Sequence, residues 1–267
     1  MAKSNRGGKR TSVTAGGSVN VAATQAMQVD DTQQVPQVQP VQTMSAEYNE
    51  FVAMSDDDKA TVITSMISQD VPDHLANNSL QRFIYNIGMN DKPDVVDDST
   101  LDGLGGVDIF RTVNNAYDDV RDIGYSADQI VKQVQGGRVT RTDGQASLLG
   151  NGIYFANDYN HSVTHYGSTR GNVKQTAVMR AKLNSNAKII LDVDADRGVN
   201  AEIRSGTKLG RALSKCSADS RSSIYALSKG YNVIKGTSSW TNGYYNVLNR
   251  QAMTMSKDIK PAGSKWK

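Results

Sequence analysis

One short stretch constrains this chain more than any other. Gly150-Asn151-Gly152 leads into Ile153-Tyr154-Phe155-Ala156, and Asn157-Asp158-Tyr159-Asn160-His161-Ser162-Val163-Thr164-His165-Tyr166-Gly167 follows directly. The glycines let the backbone pass close to a bulky neighbour, Ile-Tyr-Phe has the composition of a short strand, and the polar run after it opens a helix. A strand that presents a tyrosine beside a permissive turn forms a platform for stacking a ring. Read as structure alone, the same residues are a core strand whose glycines mark a hairpin.

The stretch resembles the nicotinamide-pocket motif of the ADP-ribosyltransferases, G-x-G-I-Y-F-A followed within about a dozen residues by Ser and Tyr. The resemblance implies that Tyr154 packs on the nicotinamide ring of NAD and that Ser162 lies near its carboxamide, with Gly152 and Tyr166 in the same pocket. A second piece lies upstream. Val107-Asp108-Ile109-Phe110-Arg111-Thr112-Val113 alternates as a strand, with Val107, Ile109 and Arg111 on one face and Asp108, Phe110 and Thr112 on the other. The family opens its NAD site with a strand ending in an aromatic or hydrophobic residue and Arg-Gly or His-Gly. Phe110-Arg111-Thr112 is similar, and implies Arg111 as the residue that holds NAD by charge and hydrogen bonds. Thr112 stands where glycine is usual.

Composition limits the remaining possibilities. A chain of 267 residues with 38% hydrophobic content suits one domain plus tails. The net charge of +3 gives no strong argument for a nucleic-acid or membrane partner. One cysteine, Cys216, excludes an internal disulfide framework and a cysteine-based zinc site. Neither a run of roughly eighteen apolar residues nor a signal-peptide core occurs. The expectation is a soluble protein of a reducing compartment, in the cytoplasm of a host or in a virion. His161 and His165 stand at i and i+4, a spacing that fits ligation from one helix face, but no third ligand accompanies them and no metal site is expected.

Residues 1–43 carry Lys3, Arg6, Lys9 and Arg10, then a Gly/Ser/Thr-rich stretch and Gln33 to Pro40, with no aromatic residue before Tyr48. Such a segment cannot bury enough surface to offset its ordering entropy, so it reads as a disordered arm. Its basic tip is taken as a solubilising leader in preference to a tether for nucleic acid. Ser55-Asp56-Asp57-Asp58 starts a helix through Val62, Ile63, Met66 and Ile67, and Leu80, Phe83, Ile84 and Ile87 suggest a second, closed by Gly88. Together they are expected to form a helical cap over 44–92.

The NAD-binding domain is then expected over 93–256. A turn-rich connection leads to the Arg111 strand. A capped helix runs from Ser126 to Gly136, and the resemblance places Arg138 and Arg141 of the next loop near the diphosphate. After the central motif come a helix from Tyr159 to Tyr166, strands over Thr176–Leu183 and Lys188–Val193, and a helical stretch over Ala201–Cys216. A helix capped by Ser217 or Ser220 stops at Gly230. Closing strands follow at Tyr231–Lys235 and Tyr244–Asn249, across Thr241-Asn242-Gly243. Residues 257–267 read as a basic tail.

The last strand carries the main departure. In the resembled family it usually begins with glutamate, as in Glu-Tyr-Val-Val-Phe-Asp-Pro. Matching Val247-Leu248-Asn249 to Val-Phe-Asp places Tyr244 where that glutamate stands, and no Asp or Glu occurs from Ser220 to Lys257. The resemblance implies an α+β fold with a split-sheet core of two small sheets behind the cap. It implies two functions. One is a mono-ADP-ribosyltransferase, of the kind found among small phage-encoded and toxin-type enzymes, that transfers ADP-ribose from NAD to a protein acceptor and has Arg111, Tyr154 and Tyr244 at its catalytic positions. The other is a non-catalytic member that serves as a structural or interaction protein, for example among virion proteins.

Overall fold

Alternating apolar residues build an eight-stranded mixed sheet, and helices cover part of it, giving an α+β architecture. The computed structural model describes residues 44, 46–67, 87–88, 93–114, 149, 152–167 and 176–261, all within the unit Val41–Lys267. The arm over 1–43, nearly all of the helix expected from Leu80, the helix from Ser126 and the loop with Arg138 and Arg141 lie outside the described residues.

The strands are β1 (Asp94–Val96), β2 (Val107–Asn114), β3 (Ile153–Ala156), β4 (Thr176–Leu183), β5 (Ile189–Leu191), β6 (Val233–Lys235), β7 (Tyr244–Val247) and β8 (Met253–Pro261). Their order is β1-β8-β4-β2-β3-β7-β6-β5. The outer pairs β1–β8 and β5–β6 are parallel, and every other pair is antiparallel.

The joint between β2 and β3 differs from the rest. On one side β2 pairs with β4 along its whole length, from Val107↔Leu183 to Asn114↔Thr176. On the other side it meets β3 through the single pair Phe110↔Ala156. The split core expected from the sequence is thus one continuous sheet pinched at a seam. Ile109, Phe155, Met179, Leu183, Val247 and Met253, from strands on both sides of that seam, are all buried in one apolar cluster. No α-helical residue among those described belongs to it. Each such side chain contributes about 1.5–3 kcal/mol by leaving water.

The helices are α1 (Ala46–Ala53), α2 (Asp56–Ile67), α3 (Asp98–Gly103), α4 (Tyr159–Gly167), α5 (Asp192–Ser205), α6 (Lys208–Lys215) and α7 (Ala218–Ser228). Ser55 caps α2 as its composition predicts: its Oγ accepts from the Asp58 N–H at 3.1 Å and donates to the Asp58 carboxylate at 2.6 Å. α2 packs on α6 and α1 on α7, and Ile63, Leu209, Leu213 and Ile224 share a second apolar cluster with Ala156, Ile234 and Tyr244 of the sheet. Ion pairs from Asp57 to Lys208 at 2.7 Å and from Lys229 to Asp56 at 3.1 Å and Glu202 at 2.9 Å tie α2 to this layer. The described part of the expected cap therefore belongs to the helical side of the core. No helix among the described residues is long and apolar enough to cross a membrane.

Three expectations are corrected. The strand expected to reach Val193 ends at Leu191, because Asp192 opens α5 with a carboxylate that accepts from the Val193 N–H at 2.8 Å. The helical stretch before Cys216 is two helices. Gly206, at φ 68°, stops α5 in the left-handed conformation, and the Thr207 hydroxyl caps α6 by accepting from the Gly210 N–H at 3.0 Å. The first part of the basic tail is β8, which lies between β1 and β4 and buries Met253 and Met255. Its basic residues are matched by acids beside β1, as in Lys260–Asp98 at 3.2 Å, so charge concealed an interior strand.

Candidate functional site

Alternation along β3 separates two environments. Ile153 and Phe155 enter the sheet's own cluster, while Tyr154 and Ala156 turn to the side on which helices pack. The pairs Phe110↔Ala156, Ala156↔Tyr244 and Tyr154↔Asn246 bring Phe110, Tyr154, Ala156, Tyr244 and Asn246 onto this one face. Ala156 is the small residue at its centre.

Helix α4 lies over that face. Asp158 starts it, with Oδ1 accepting from the His161 N–H at 2.7 Å. The Tyr159 ring meets Phe110 edge-on, centroids 6.4 Å apart. One turn on, the fully buried Ser162 shares a 2.7 Å hydroxyl–hydroxyl hydrogen bond with Thr112. Either oxygen can be the donor, and the pair uses one of its two hydroxyl hydrogens, which leaves the other for a carbonyl or carboxamide oxygen. A glycine at position 112 would remove this bond, which gives Thr112 a local reason to replace one.

Arg111 occupies the other side of β2, on the face of Ile109. It is half-buried, and its Nη1 donates to the Tyr154 carbonyl at 2.7 Å, across the seam where the ladder has only one registered pair. The Tyr154 hydroxyl accepts from the Leu149 N–H at 2.8 Å, and Asn246 Nδ2 donates to the Leu149 carbonyl at 2.8 Å. Strands β3 and β7 thereby clamp the backbone that leads into the motif. A Cβ at Gly152 would lie 2.0 Å from Asn246 Oδ1 and 2.8 Å from the Val247 carbonyl, so this glycine permits the close approach of β7. Gly150 and the side chain of Tyr166 lie outside the described residues.

Tyr244, at the position expected for a carboxylate, is 6% exposed and packs edge-to-face on the His161 ring, centroids 4.6 Å apart and planes at 73°. Gly243 makes room for that ring. Its φ is +89°, a Cβ there would lie 3.1 Å from His161 Cε1, and its carbonyl accepts from the Asn157 N–H at 2.7 Å. His161 is the residue at this site that sequence reasoning missed. In the sequence its i, i+4 spacing with His165 is the visible signal, whereas its place directly before Ser162, on the same strand-to-helix turn, is what brings it here.

The loop between β6 and β7 is held from below by Asp192. That carboxylate accepts from the Thr237 N–H at 3.1 Å and from the hydroxyls of Thr237 at 2.5 Å and Thr241 at 2.6 Å. Burial alone would raise its pKa, but these hydrogen bonds together outweigh burial and hold it below the ordinary carboxylate range. Trp240, 80% exposed, stands at the tip of this loop. Cys216 is inert by comparison, since burial pushes its thiol up to about 12. Set against known proteins, the chain matches no family model, and no curated protein and no solved structure matches it significantly.

Proposed function

We propose that this chain is a mono-ADP-ribosyltransferase that holds NAD, as its substrate, at the β2–β3 seam and transfers ADP-ribose to a protein acceptor. The observation that carries this reading is convergence. Tyr154 on β3, Tyr244 on β7 and the Thr112–Ser162 pair, distant in sequence, are brought to one face of the sheet, and Arg111, from the opposite face of β2, reaches the Tyr154 carbonyl across the seam.

Each group suits a part of the substrate. The Arg111 guanidinium complements a diphosphate or a carboxamide oxygen, the Tyr154 ring offers a flat partner for nicotinamide, and the Thr112–Ser162 pair retains a hydroxyl hydrogen for the carboxamide. The reaction breaks the bond between ribose C1′ and nicotinamide, whose nitrogen keeps the electron pair, and joins C1′ to the acceptor. Positive charge develops on the sugar as this bond lengthens. A tyrosine at 244 can hydrogen-bond a ribose hydroxyl but supplies no negative charge near neutral pH, so the residues here position the substrate more than they stabilise that charge.

A second reading draws on the same face. Gly152 is filled against by Asn246, Ser162 is bonded to Thr112 and the Tyr154 hydroxyl to Leu149, so each motif residue already has a structural task. These contacts favour a non-catalytic module that serves as a structural or interaction protein, such as a component of a virion. Calorimetry of NAD on the full chain, with Arg111→Ala and Tyr154→Ala beside it, separates the two. Binding at about micromolar Kd, lost in both folded variants, supports the transferase. A folded wild type that binds no NAD leaves the second reading in place.

A further inference from the structure

We propose that this chain forms a two-fold symmetric dimer by pairing its edge strand β5 with β5 of a second copy, antiparallel, with Ile190 opposite Ile190 on the axis. The inference does not depend on the NAD reading above, because β5 stands three strands away from β3.

Strand β5 ends the sheet, and among the described residues it pairs only with β6. Its middle residue faces inward: Ile190 is buried in the cluster beneath the helices, as is Ile234, its neighbour in register on β6. Ile189 and Leu191 point to the other face, where they remain 37% and 38% exposed beside Val233 and Lys235 of β6. The backbone alternates as well. Lys188 turns its N–H and carbonyl toward β6, donating to Asn232 Oδ1 at 2.9 Å and accepting from the Asn232 N–H at 2.8 Å. Ile190, two residues on, faces the same way. Ile189 therefore directs its N–H and carbonyl, and Leu191 its N–H, to the open edge. In an antiparallel pair centred on Ile190, the Leu191 N–H of each copy donates to the Ile189 carbonyl of the other.

Charge selects a second copy as the occupant. The edge reads Lys188-Ile189-Ile190-Leu191-Asp192, apolar in the middle, basic at one end and acidic at the other. Reversing this strand about Ile190 sets Ile189 opposite Leu191 and the exposed Lys188 opposite Asp192 of the copy, at both ends of the pair. Asp192 is a fixed negative end, since Thr237 and Thr241 hold its carboxylate, and Asp194 follows it in the first turn of α5. The opposite edge of the sheet lacks this match. There β1 lies within Asp94-Val95-Val96-Asp97, and the same reversal would set acid against acid. Pairing at β5 also takes two apolar side chains per copy out of water. A contact of so few residues is small, which makes the dimer weak and reversible.

The test uses the full chain. Sedimentation through a concentration series reaching the sub-millimolar range should show a monomer–dimer equilibrium in the wild type. Leu191→Lys and Lys188→Asp should each weaken the dimer about tenfold or more, by setting a cation on the apolar centre or acid against Asp192, with Tm unchanged because both side chains are exposed. Register is read by crosslinking Ile189→Cys with Leu191→Cys under mild oxidation. Directly opposed residues have Cα atoms about 5.5 Å apart, within disulfide reach, whereas each residue and its own copy lie on a diagonal beyond about 7 Å. Crosslinks should therefore form in the mixture and not in either variant alone, and the buried Cys216 adds no background. A wild type that stays monomeric at every concentration overturns the proposal and gives the edge to a different occupant. A dimer that both charge variants leave unchanged overturns it as well, as does either cysteine variant that crosslinks with itself as fast as the mixture does.

Discussion

The two sides of β2 are held by different means. Toward β4 the strand is fixed by backbone pairing along its full length, with Met179, Ala181 and Leu183 buried beneath it. Toward β3 it has one registered pair, and side chains complete the joint: Arg111 to the Tyr154 carbonyl and Thr112 to Ser162. A backbone ladder is nearly independent of which side chains it carries, whereas a joint made by side chains depends on a few identities. Arg111 and Thr112 belong to both, paired with Met179 and Val178 in the ladder while their side chains bond across the seam.

The largest effect should come from the ladder side. Met179→Ala opens a cavity in a cluster shared by both halves of the sheet and should cost about 2–5 kcal/mol in chemical denaturation. On the other side of β3, Gly152→Ala forces Asn246 from its bond to Leu149 and should cost about 1–3 kcal/mol; a smaller loss would mean that β3 and β7 can separate locally. Thr112→Val and Ser162→Ala should each cost about 1–3 kcal/mol, because each strands the other buried hydroxyl. Their double variant should cost clearly less than the sum, and strict additivity in a double-mutant cycle would show that the hydroxyl pair does not hold the seam.

A smaller effect should follow pH. Asp192 has its pKa held below the ordinary 3.8, so its contribution to stability is present above that value and is lost as pH falls through the lower folded value. The difference in Tm between wild type and Asp192→Asn should accordingly be greatest above about pH 4 and shrink on acidification. Trp240→Ala should change stability by no more than about 0.5 kcal/mol, since the ring is almost wholly in solvent. A larger loss would show that the loop tip is packed after all.

Much of the scaffold was legible in the sequence because local rules and tertiary structure agree there. The alternation at 107–113 and 176–183 became the longest ladder, Ser55 caps α2, and α4 begins just after Ile-Tyr-Phe as the polar run suggested. The errors lie where local signals competed. Gly206 divides what periodicity joined, and Asp192 ends a strand early because its carboxylate serves the 237–241 loop. β8 was hidden by Lys257 and Lys260, whose partners near Asp97 and Asp98 are distant in sequence.

The sequence by itself determined the motif, its strand-to-helix turn, and the tyrosine at the position where a carboxylate is expected. Only the tertiary structure decided what stands beside that tyrosine. His161 and Tyr244 come together because β7 pairs with β3, α4 folds back over the same face, and a glycine with positive φ leaves space for the ring. Spacing along a chain records which residues share a helix face or a strand face. It does not record which elements become neighbours, because that depends on burial summed over the whole sheet.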